Sequence, residues 1–137
     1  MSDAAVLAGL YMIRTNPMYQ AAEALRRKTA GGAAAMARAP AGSEEHRAIL
    51  LLLNTWETMA RMVQSVGEKE VQERIYETVP ISYMYRELRP AIEALRGGAP
   101  AFGLQFEKLT DAADTWCKAR PDRYISGASG GLHAFFG

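Results

Sequence analysis

The sequence predicts an all-α fold: a single-domain bundle of four to six helices built round one long helix near residues 43–66. Three observations predict it. Apolar residues recur at three- and four-residue steps rather than in alternation. Ser, Asn, Pro and Gly stand where helix starts and stops favour them. Alanine is abundant and β-branched residues are sparse, which favours helix over strand. At 137 residues one domain is expected. Folding a chain of this size buries about 68% of its unfolded surface, enough for a core without staples.

The long helix is the clearest element. Ser43 suits an N-cap, and Glu44 and Glu45 suit the positive end of the helix dipole. Ile49, Leu52, Leu53, Trp56, Met59, Ala60, Val63 and Val66 share one face, widened by Ala48, Leu51 and Met62. The arc covers roughly 200°, about twice that of a surface helix, so the helix should be covered on several sides. Gly67 reads as its left-handed cap. Leu50 falls in the polar strip with Asn54, Glu57, Arg61, Gln64 and Ser65. It is either covered by another element or part of an exposed contact patch.

The other elements follow in order. Ser2 and Asp3 start a first helix with Val6, Leu7, Leu10, Tyr11 and Ile13 on its apolar face. Asn16–Pro17 restarts the chain, and Met18, Ala21, Ala22 and Leu25 are expected inward. Arg26, Arg27 and Lys28 suit the helix end before Gly31–Gly32. Residues 30–42 are read as a loop with one irregular turn, the alternative being a short alanine helix ended by Pro40. A short helix over 68–78 carries Val71 and Ile75, with Val79 beside them. The next starts at Ile81 or Ser82 and lines up Ile81, Met84, Tyr85, Leu88, Ile92 and Leu95, with Pro90 opposite. That proline either kinks the helix round the core or ends it. A last helix from about Phe102 to Ala119 faces inward with Phe102, Phe106, Leu109, Ala113 and Trp116. Residues 121–137 form an irregular tail, in which Tyr124, Ile125, Leu132, Phe135 and Phe136 either fold back on the bundle or hold a partner.

Composition narrows the function. Net charge is +1 with 23% charged residues, against the strong positive charge of a dedicated DNA-binding module. The single cysteine, Cys117, allows no internal disulfide. No basic region precedes an apolar stretch, so no signal peptide is expected. The apolar run Ala48–Leu53 is far shorter than the roughly 20 residues of a membrane span. The expected protein is soluble, cytoplasmic and free of cofactors.

No residue pattern carries a reaction. His46 and His133 have no ligand neighbours at metal spacing, and His46 reads as a capping-region residue. Cys117 has no histidine at hand and reads as a small hydrophobe. Glu107, Asp111 and Asp114 share a helix face and have the spacing of a cation site, yet Lys108 and Lys118 flank them as on a solvated face. Phosphate-binding glycine motifs and the nucleophile elbow are absent. Two basic clusters, Arg26–Lys28 with Arg38, and Arg86, Arg89 and Arg96, allow only weak, salt-sensitive nucleic-acid binding.

Two segments resemble a family of short bacterial and phage-associated helical domains of unknown function. They are residues 48–66 and 85–96, matching through Leu53, Asn54, Trp56, Glu57, Tyr85, Leu88, Pro90, Ile92 and Arg96. Relatives are membrane-tethered at the N-terminus, where this chain has an amphipathic start. The resemblance implies a helical fold and assigns no catalytic residue. The expected function is a non-catalytic protein–protein interaction module, an inhibitor or accessory factor of a phage or mobile element. Its contact residues are Leu50, Tyr83, Arg86, Arg89, Phe135 and Phe136, its partner a protein or a second copy. A nucleic-acid-associated protein and a metal-assisted enzyme are the alternatives.

Overall fold

The computed structural model describes residues 2–120, so the expected tail at 121–137, with Phe135, Phe136 and His133, lies outside the described residues. These contain seven helices and no strand: α1 Asp3–Thr15, α2 Pro17–Lys28, α3 Gly32–Arg38, α4 Glu44–Gln64, α5 Lys69–Thr78, α6 Ile81–Arg96 and α7 Leu104–Lys118. None of these helices is long and apolar enough to cross a membrane.

α4 is the central element, as its wide apolar arc requires. It touches α1, α2, α3, α6 and α7 and buries Ala48, Ile49, Leu52, Leu53, Trp56, Met59, Ala60 and Val63. Its start is capped by Ser43, whose hydroxyl accepts from the His46 N–H at 3.2 Å. Its end departs from expectation. Gly67 does not adopt a positive φ; the helix closes at Ser65, and the Gly67 N–H instead donates to Asp3 at 3.0 Å, beside the Glu68 N–H at 2.9 Å. One carboxylate from α1 thus holds the turn that leads into α5.

Residues 30–42 are not a loop throughout. Gly31 turns the chain at φ +86°, and α3 follows at once. Seven residues form no stable helix alone; α3 persists because Ala33 and Met36 are buried against α6 and α4. This extra helix makes the count seven rather than six.

α6 continues through Pro90 to Arg96. Pro90 and Arg86, whose carbonyl loses its helical donor there, both face solvent. α7 begins at Leu104, after Gly103 at φ +75°. A Cβ on Gly103 would lie 2.9 Å from Ile92 Cγ2, so space as well as backbone favours glycine there. The cap of α7 comes from another helix: the Glu57 carboxylate accepts from the Phe106 N–H at 2.8 Å and the Gln105 N–H at 3.3 Å. At the centre Trp56 stacks on Phe106 at 5.1 Å, and Tyr85 meets Phe106 edge-on at 5.1 Å.

Candidate protein-docking groove

α2 begins at Asn16, whose Oδ1 accepts from the N–H groups of Met18 (2.8 Å) and Tyr19 (3.2 Å), with Pro17 at the first helical position. The side it turns inward is not its apolar side. Tyr19, Ala22, Glu23 and Arg26 are buried. A buried pair of opposite charges persists only when its hydrogen bonds are made, and here they are. Arg26 Nε donates to both Glu23 oxygens at 3.1 and 3.0 Å, Nη2 donates to Oε1 at 2.5 Å, and Nη1 reaches Glu87 on α6 at 3.3 Å. Burial works against the Arg26 charge, but its bonds to Glu23 outweigh that and hold the guanidinium above its ordinary pKa. Beside them the Tyr19 hydroxyl accepts the Trp56 indole N–H at 3.1 Å. Burial, helped by the Glu23 charge, raises the Tyr19 phenol far above its usual range.

This orientation corrects the expected inner face of α2. At about 100° per residue, the side bearing Met18, Ala21 and Leu25 is turned roughly 120° away from the buried centre. Met18 is 69% exposed, Ala21 is exposed and Leu25 is half-buried. The same correction holds on α1: Val6 and Leu10 are buried, while Leu7 and Tyr11 point to solvent.

The displaced apolar side of α2 faces α4 across an open groove. A cavity of about 570 Å³ is lined by Met18, Ala21, Ala22 and Leu25 from α2 and by Glu44, Arg47, Ala48, Leu50 and Leu51 from α4. A second, of about 430 Å³, shares Met18 and Leu51 with it and runs on past Tyr19, Thr55 and Met62 to Gly9, Met12 and Ile13 of α1. From Glu44 to Met62 the two follow α4 for about 27 Å at ~1.5 Å per residue. Gly9 admits α1 to this corner, since a Cβ there would lie 2.4 Å from Met62 Cε. Arg47 and Glu44 are the charged residues of the lining, both at one end. The groove therefore offers apolar contact along its length and charge only at its rim. Such a surface suits the apolar face of a helix.

Of the residues singled out from the sequence, Leu50 lines this groove, half-buried. The others on α6 do not. Tyr83 is half-buried against the core, Arg86 is exposed, and Arg89 pairs with Glu93 at 2.8 Å. The acids of α7 are divided among separate partners. Glu107 accepts from Arg96 at 2.8 Å and from the Tyr85 hydroxyl at 3.0 Å, and these bonds hold its carboxyl below the usual range. Asp114 is bonded to the Ser82 hydroxyl, and Asp111 is exposed. No three His, Cys, Asp or Glu side chains are grouped as metal ligands among the described residues. Arg26 is withdrawn from the basic cluster of α2 by its burial. Sequence reasoning counted Met18, Leu25 and Leu51 toward the core and gave Met12 no role. The available signal was Glu23 and Arg26 at i, i+3 beside Tyr19, a pairing able to carry charge inward.

No protein-family model matches this chain, and neither a curated protein nor a solved structure does.

Proposed function

We propose that this chain is a non-catalytic interaction module that receives the apolar face of a partner's helix in the groove between α2 and α4. The observation that carries the reading is the rolled α2. Met18 and Ala21 of its apolar side stand exposed and Leu25 is only half-buried while a charged pair is buried, and that side forms one wall of the apolar groove. A groove of about 27 Å takes roughly five helical turns, with anchors at i, i+3, i+4 and i+7. An inhibitor or accessory factor of a phage or mobile element acts in this way, by occupying a partner rather than transforming it. The cytoplasm is its setting, where a lone thiol such as Cys117 stays reduced.

Selection from a displayed library of amphipathic helical peptides tests this. Peptides enriched on the wild-type chain should carry apolar anchors at helical spacing and should lose binding to Leu51→Glu and Ala21→Glu. Enrichment without such anchors, or binding undiminished by both variants, contradicts the reading.

A further inference from the structure

The outer side of α1 is a second apolar surface, which meets the groove only at Met12. Ala4, Leu7, Ala8, Tyr11, Met12 and Thr15 are all exposed, with Ala5 at the edge. At 100° per residue they span roughly 160° without a charged side chain. The helix is therefore apolar on its outer side as well as its inner one, and the outer side is uncovered in the monomer. Its two charges, Asp3 and Arg14, stand together on one flank at opposite ends.

We propose that this face binds a second copy of the chain, α1 against α1, antiparallel about a twofold axis passing between residues 8 and 9. The pattern of charge and size selects this arrangement. In an antiparallel pair related by such an axis, like flanks meet, and residue i lies level with residue 17 − i of the other copy. Asp3 then meets Arg14, and does so twice. On the opposite flank the large Met12 meets the small Ala5. On the centre line Tyr11, which is 62% exposed, enters the gap between Ala4 and Ala8. A parallel pair sets Asp3 level with Asp3 and wins none of these matches.

The groups are available for it. Asp3 accepts from the Gly67 and Glu68 N–H groups, which leaves about two of a carboxylate's four acceptor positions. Arg14 meets no carboxylate within ion-pair distance among the described residues. α1 is about 20 Å long, so the contact falls short of the ~800 Å² per partner of a standard interface. The dimer is therefore a weak, concentration-dependent one.

Sedimentation equilibrium from about 10 µM to about 1 mM tests it, the range suited to an interface below standard size. The wild-type mass should rise toward double. Tyr11→Glu, at an exposed position, should keep the helical circular dichroism and stay monomeric. Arg14→Asp and Asp3→Arg should each stay monomeric alone and dimerise when mixed, since each then meets opposite charge at both contacts. Ala21→Glu, in the part of the groove that Met12 does not line, should dimerise like wild type, which separates this contact from the proposed function. A wild-type chain monomeric over the whole range overturns the proposal, as does self-association unchanged in folded Tyr11→Glu.

Discussion

Arg26 holds Glu23 inside the bundle through three hydrogen bonds within one helix, and that pair decides which way α2 faces. Turned by its hydrophobicity alone, α2 would bury Met18, Ala21 and Leu25. With the charges satisfied inside, Met18 stands 69% exposed and α2 becomes a wall of the groove. A pair of this kind adds little to stability compared with an apolar replacement, yet is costly to break.

Arg26→Met therefore leaves the Glu23 carboxylate buried without its partner and should lower unfolding free energy by about 3–5 kcal/mol. Glu23→Leu added to it should return most of that loss. Urea titration of the two single variants and the double reads the coupling directly. Additive losses would mean that the pair does not orient α2.

Gly103→Ala tests the turn that launches α7. The left-handed φ and the approach to Ile92 act together, and strain of this kind costs about 1–3 kcal/mol. The midpoint of urea unfolding should fall with its slope unchanged. Gly67→Ala, whose Cβ meets nothing within 4 Å and whose φ is not positive, should cost far less.

Acid should weaken the fold through Asp3 and Glu107. The Gly67 and Glu68 N–H groups lower the Asp3 pKa, and the Arg96 and Tyr85 bonds lower that of Glu107. A carboxyl whose folded pKa lies below its unfolded value, ~3.9 for Asp and ~4.3 for Glu, adds stability above that value. The contribution is lost as pH falls through the folded pKa. Stability should thus be flat near neutrality and decline below about pH 5. Asp3→Asn should show a shallower decline, measured as the urea midpoint against pH.

Much of this fold was legible because periodicity and caps report it. Ser43, Asn16 and Pro17 stand where their side chains and rings act on the first turn, and the arc of α4 announced a covered helix. α3 was not legible: its alanines favour helix in any setting, and the burial of Met36 that makes it persist is a tertiary fact. The groove was hidden for a sharper reason. An apolar stripe shows which side of a helix avoids water, not whether its own chain or another molecule covers that side. Leu50 was visible because it broke the polar strip of α4. Met18 was not, since it lies on the stripe that a core would have used.

Methionine oxidation read residue by residue by mass spectrometry tests the rolled α2 most directly. Met12 and Met18 are each 69% exposed, whereas Met36, Met59 and Met84 are 0–1% exposed. Under native conditions with dilute peroxide, Met12 and Met18 should oxidise at nearly the rate of an unfolded peptide while the other three are protected. Protection of Met18 equal to that of Met59 in the monomer would contradict the account, since the apolar side of α2 would then be core and the groove would not exist.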